Sequence, residues 1–274
     1  MPLEAESRFF IMDPKGEDFD SELFRAVSRD LWEDHAAWWQ ENFTDGADEE
    51  YVEQIIPLAI DQLREVGATR VLDLGVGDGQ VSRAARESLE GDVRFVGVDP
   101  AMLQLRTASE RGGIDLLLRA EAKELPFGPS TFDAVMACLV FEHVVEFETA
   151  ISEVSRVLEP GGSFLFFLNH PILQTPGSGF IDDVELGEQY WRIGPYLVED
   201  LSFEEVSKDV FIPFVHRPIS RYVNAIANAG MWIDHMAEPV PPEGFLDKAW
   251  EYRAAKDFPR LLFIRAKKVG GSVG

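Results

Sequence analysis

An aspartate and three glycines alternate in the stretch VLDLGVGDGQ, residues 71–80: Asp73, Gly75, Gly77 and Gly79. Glycines this close after an apolar run let the backbone turn sharply and approach a ligand with no Cβ in the way. The chemistry on offer is cofactor binding, and a nicotinamide dinucleotide, a flavin and S-adenosylmethionine (SAM) are the candidates. A dinucleotide fingerprint needs G-x-G-x-x-G, and its third glycine position is occupied here by Gln80. No G-K-[ST] follows, which excludes a P-loop. Three histidines, His143 in FEHV, His170 in LNHP and His216 in VHRPISRY, carry side chains that exchange protons near neutral pH.

The elements that must position these residues alternate. Strands are expected at Val71–Leu74, Val93–Val98, Ile114–Leu118, Phe132–Cys138 and Ser163–Asn169, with helices at Gln80–Leu89, Ala101–Arg111 and Glu148–Leu158. That βαβα order predicts a mainly parallel sheet with helices on both faces. A later helix, Pro218–Ala229, and two last strands, Trp232–Ala237 and Arg260–Lys267, follow; these two strands can pair antiparallel at the sheet edge. Ahead of the sheet, Leu23, Val27, Leu31, Trp32, His35, Trp39 and Phe43 recur at helical spacing, and a second helix fits Tyr51–Val66, closed by Gly67. The expected domains are an N-terminal segment with cap helices, 1–67, and a binding domain, 68–274. Within the latter, residues 171–217 break the rhythm as a long aromatic insertion. A loop of that length with that aromatic load is expected to be a lid or substrate wall rather than disordered.

Composition narrows the function further. Acidic residues number 49 against 25 basic, a formal net charge of −24, which repels nucleic acid backbones. No apolar run approaches the roughly 20 residues that span a bilayer, and the first residues do not read as a signal peptide. The single cysteine, Cys138, excludes an internal disulfide and points to a reducing cytoplasm. No metal-ligand spacing is present. Neither nucleic acid nor membrane is therefore expected as a partner, and the oligomeric state is left open.

Five segments in order resemble the class I SAM-dependent methyltransferases, with a domain of the type 11 kind. They are D-x-G-x-G-x-G at 73–79, VRFVGVDPAML (93–103), EAKELPF (121–127), FDAVMACLVFEHV (132–144) and SEVSRVLEPGGSFLF (152–166). The resemblance covers roughly residues 68–170 and the terminal helix–strand–strand. It implies a Rossmann-like fold: a seven-stranded, mainly parallel sheet with an antiparallel edge strand, an N-terminal helical cap and an insertion after the fifth strand. It also implies SAM as cofactor and site roles. Asp99, about 22 positions after Gly77, would accept both ribose hydroxyls. Pro100 and Met102 would pack on adenine or simply begin a helix. Glu121, where the family usually has aspartate, and the Ala122 amide would meet the adenine edge. Asp73 would reach the methionine amino group through water, and the Cys138 and Leu139 backbone would lie along the methionyl chain.

Methyl transfer from a sulfonium is an in-line displacement, so the protein's main task is to hold the reactants in line. A hydroxyl or amine acceptor also needs a base, for which His143, His170 and His216 are candidates; packing, capping and lid anchoring are the competing roles. The aromatic insertion and the tryptophan-rich N-terminal helix suggest an enclosed pocket for a small molecule, with O-methylation slightly favoured. The alternatives are a SAM-binding protein without methyl transfer and, less readily, an NAD(P) oxidoreductase.

Overall fold

The computed structural model describes residues 30–44, 46–183, 185, 188–248 and 256–270. The first part of the expected N-terminal helix, with Leu23 and Val27, lies outside the described residues. Residues 30–34 are helical, and α1 (Ala36–Phe43) follows after a break at His35. The next helix does not run uniformly from Tyr51. It opens with a π-turn, Tyr51–Ile55, and becomes α2 at Ile56–Val66. Pro57 supplies the reason. It has no amide to bond back four residues, and the preceding Ile56 amide reaches Tyr51 O, five back. Gly67 then ends α2 in the left-handed conformation that only glycine adopts without cost.

The central sheet is built from β1 (Arg70–Leu74), β2 (Arg94–Asp99), β3 (Leu116–Arg119), β4 (Phe132–Cys138), β5 (Leu158–Asn169), β10 (Met231–Ala237) and β11 (Leu261–Lys268). Its order is β10-β11-β5-β4-β1-β2-β3. The pairings from β5 through β3 are parallel, and β11 runs antiparallel to both of its neighbours. The antiparallel pair β10–β11 thus forms one edge, with the reversed strand one place in. Crossovers are made by α3 (Gln80–Ser88), α4 (Met102–Arg111) and α5 (Phe147–Val157), and α6 (Ile219–Asn228) precedes β10.

Strand alternation divides the core into two layers. Val71, Phe95, Met136, Leu165 and Phe167 pack on the α2 side, while Leu72, Leu74, Val135, Phe164 and Phe166 pack on the α5 side. Both faces being buried explains why these strands read as continuous apolar runs. β5 starts five residues before its expected beginning. Phe132 pairs with Leu158 and Ala134 with Ser163, so the Pro-Gly-Gly turn is extruded as a bulge within the strand. β3 starts later than expected, because its ladder with β2 begins only at Val96–Leu116.

The stretch 171–217 contains two hairpins. β6 (Gly179–Asp183) pairs with β7 (Glu188–Arg192), and β8 (Asp200–Ser207) with β9 (Val210–His216). Among the described residues, no helix is long and apolar enough to cross a membrane.

Candidate active site

The carboxyl ends of β1, β2 and β4 surround a cavity of about 200 Å³. Its floor is the turn from β1 into α3. Gly75, Gly77 and Gly79 all have positive φ, at 71°, 53° and 82°. Their reasons differ. A Cβ on Gly75 would lie 2.5 Å from Val140, so this position is demanded by protein packing. A Cβ on Gly77 would meet nothing within 4 Å, which leaves the loop open on its cavity side. Gly79 is not part of the cavity wall. A Cβ there would strike Ile114 at 2.6 Å, so its absence lets α3 close against the chain entering β3.

Asp99, at the end of β2, is almost fully buried in the cavity wall. Its Oδ2 accepts from the Gly77 amide at 3.0 Å and its Oδ1 from the Ala101 amide at 2.8 Å. Burial pushes its pKa up to about 6, against the lowering effect of those two amides. A carboxylate has about four lone-pair directions, so after these two bonds it still has acceptor capacity for a pair of neighbouring hydroxyls. Asp73 also borders the cavity, but its Oδ2 takes the Ser82 hydroxyl at 2.5 Å. Burial raises its pKa to about 7.

The remaining expected cofactor contacts divide. Pro100, Glu121, Ala122, Cys138 and Leu139 line the cavity. Leu139 has φ 55°, a left-handed backbone that carries the chain away from β4 beside the glycine loop. Burial drives the Cys138 thiol pKa well up, which keeps it protonated and unreactive. Glu121 is partly committed to Lys123, 3.0 Å away, a reach its extra methylene permits. Met102 is outside the wall, and its amide donates to Glu33 Oε2 at 2.6 Å.

Glu33 belongs to the N-terminal segment, which lies across this end of the sheet. It also takes the Leu103 amide, and Gln40 donates to Gln104 and Thr107 of α4. Trp32 and Trp39 of the same segment line the cavity, their rings edge-to-face at 5.2 Å. Trp38 packs instead on Phe43.

The three histidines are in three different places. His143, in the 3₁₀ turn Phe141–His143 after β4, lines the cavity. Its ring lies between Trp32, centroids 4.9 Å apart, and Phe214 of β9, 4.8 Å. Its Nδ1 is 2.6 Å from the Pro213 carbonyl. A carbonyl oxygen only accepts, so Nδ1 carries the proton and Nε2 keeps its lone pair. Burial lowers the pKa to about 4, so the ring is neutral at physiological pH. His170 is fully buried away from the cavity. Its Nε2 donates to Glu238 at 2.8 Å and its Nδ1 accepts the Ile172 amide at 3.2 Å. His216 donates Nε2–H to the Tyr196 carbonyl at 2.9 Å, also outside the cavity wall. Burial lowers the pKa of both.

Sequence reasoning passed over Tyr51, a buried phenol in the π-turn that also lines the cavity. Burial keeps it protonated by raising its pKa well above the usual value. Nothing in the spacing of the helix marks it; only Pro57, which creates the π-turn, was a visible signal. Arg217, next to His216, is a second residue that the spacing does not mark. It is buried and donates to the carbonyls of Phe141, Val144 and Val145, and so clamps the loop that carries His143.

Comparison with known proteins agrees with this geometry. The profile of a methyltransferase domain family matches residues 72–166. The chain is 37% identical over 108 residues to a demethylmenaquinone methyltransferase of Thermus thermophilus, covering 38% of this chain and 49% of that protein. It is 34% identical over 111 residues to a ubiquinone/menaquinone biosynthesis C-methyltransferase of Syntrophotalea carbinolica, covering 39% and 46%. It therefore spans about half the length of these curated relatives. A crystal structure of an S-adenosylmethionine dependent methyltransferase from Mesorhizobium loti is similar over nearly its whole length. It superposes with a TM-score of 0.67 at 30% identity, covering 77% of this chain and 96% of that one. On that likeness, the strand order and the cavity beside Asp99, the chain belongs to the class I S-adenosylmethionine-dependent methyltransferases.

Proposed function

We propose that this protein transfers a methyl group from SAM to a small organic acceptor that loses a proton, a hydroxyl in the favoured case, and that it does so in the cytoplasm. The observation that carries the reading is His143, held neutral with Nε2 unprotonated in the wall of the cavity that Asp99 borders. When bound, SAM supplies an electrophilic methyl on a sulfonium. The chain's own residues do the rest. Asp99 would hold the ribose hydroxyls, the open side of Gly77 would let the ligand approach the backbone, and Ala122 would meet the adenine edge. Cys138 and Leu139 would follow the methionyl chain.

His143 Nε2 would accept the acceptor's hydroxyl hydrogen and thereby aim an oxygen lone pair. Methylation makes that oxygen strongly acidic, so a base as weak as this one suffices to take the proton as the bond forms. Trp32 and Phe214 hold the ring in place, and the Pro213 carbonyl fixes its tautomer. The N-terminal segment and the insertion 171–217 would exclude water as lid and substrate wall. His170 and His216 would hold the fold together around them.

The quinone chemistry named for the curated relatives does not carry across, because those matches cover under two fifths of this chain and about half of each relative. The test is incubation with methyl-labelled SAM and fractionated small metabolites, following label transfer and demethylated cofactor together. Demethylated cofactor without a labelled product, or SAM binding with neither, would favour a protein that binds SAM for another purpose.

A further inference from the structure

A second cavity, of about 250 Å³, opens at the carboxyl end of β5 against the hairpins that follow it. Asn169, Gln174, Trp191, Glu204 and Arg260 contribute to its wall. Several of their polar groups are already engaged. Arg260 donates Nε and Nη2 to the two oxygens of Glu50, at 2.7 and 2.9 Å, so its charge is compensated. Asn169 donates Nδ2 to Glu142 at 2.9 Å, which leaves its Oδ1 as an acceptor.

Glu204 has no hydrogen-bond or ion-pair partner among the described residues. Its side chain is exposed to solvent at the cavity mouth, with protein packed around part of it. The crowding holds its pKa above the usual carboxylate range. The indole of Trp191, packed against Phe258 at 6.1 Å, stands in the same wall. An uncompensated carboxylate, amide oxygens and an aromatic surface together favour a hydrogen-bonding organic cation. One carboxylate alone is too few oxygen ligands for a metal ion.

We propose that this cavity binds the ammonium group of a small organic molecule, with Glu204 as its counter-ion and Trp191 as its aromatic wall. Asn169 ties the wall of this cavity to the turn that carries His143. Both its amide and its Nδ2 donate to Glu142, the neighbour of His143. Ammonium binding here does not depend on the methyltransferase reading.

The test uses a matched pair, 2-phenylethylammonium and the uncharged 2-phenylethanol, titrated by ligand-observed NMR into the full chain at saturating SAM. The ammonium should bind roughly tenfold tighter than the alcohol, and Glu204→Gln should bring it to the alcohol's level. SAM affinity should be unchanged in Glu204→Gln, which also shows that the variant is folded. Equal binding of the two probes, no binding of either, or full ammonium affinity in Glu204→Gln overturns the proposal. A separate titration without the probes reads SAM affinity. Absence of SAM binding with ammonium binding intact sinks the methyltransferase reading alone.

Discussion

The Asp99 carboxylate accepts the Gly77 amide at 3.0 Å, which ties the end of β2 to the turn that follows β1. One residue therefore shapes the glycine loop and borders the cavity. Asp99→Ala should lose both functions, and SAM affinity should fall at least roughly tenfold, the worth of one charged hydrogen bond of ~1.5–3 kcal/mol. Asp99→Asn should fall between, since it keeps one acceptor oxygen. Calorimetric titration with SAM reads the series, and equal affinities across it would show the carboxylate to be a solvated bystander.

Gly75 and Gly77 should separate under the same substitution. Gly75→Ala places a methyl 2.5 Å from Val140, so the melting temperature should drop sharply. Gly77→Ala meets no protein atom within 4 Å and pays only for its positive φ, ~1–2 kcal/mol. It should melt close to wild type yet bind SAM weakly, because the new methyl stands where a ligand would approach. A Gly77→Ala protein with full SAM affinity contradicts this placement of the cofactor.

His143→Phe keeps an aromatic ring between Trp32 and Phe214 and removes the Nε2 lone pair. Turnover on an identified acceptor should fall by roughly 10²-fold or more, with SAM affinity nearly unchanged. With its pKa near 4, His143 contributes no inflection to kcat between about pH 5.5 and 8 at saturating SAM. His170→Gln should lower stability and leave kcat alone, because His170 is tied to Glu238 outside the cavity. A kcat loss equal to that of His143→Phe would reassign the base.

Asp73 gives a pH test of the buried floor. Burial holds its folded pKa at about 7, well above the ordinary aspartate value of about 3.9. The native state therefore binds more protons than the unfolded chain between those values. The stability Asp73 allows is complete below about pH 4 and is lost as pH rises through 7. Asp73→Asn removes that loss and keeps an acceptor for the Ser82 hydroxyl. The ligand-free variant should melt above wild type at pH 8, by a few kcal/mol (about 4 at most) when expressed as free energy, and come within about 1 kcal/mol of it near pH 4.5. Melting curves at the two pH values decide it; an advantage that is the same at both would mean that burial is not what perturbs Asp73.

The amino-acid sequence by itself determined the sheet and most of the expected residues that line the cavity at its carboxyl end. Alternating apolar positions and closely spaced glycines are local signals, and β1, α3, β2 and β4 form within a residue or so of where those signals put them. Asp99 ends β2 and Glu121 comes two residues after β3, so strand direction alone brings them to one end of the sheet. Tertiary structure alone decided which histidine faces the cavity. His143 and His170 both come after apolar strands and His216 ends the insertion, and nothing in the sequence ranks them. His143 is distinguished by Pro213, 70 positions away, and by Trp32 and Phe214, which sandwich its ring. The place of Tyr51 in the cavity wall, the Arg217 clamp and the second cavity behind Asn169 likewise depend on partners far along the chain. Such contacts leave no periodic trace, because each joins groups far apart in the chain that only folding brings together.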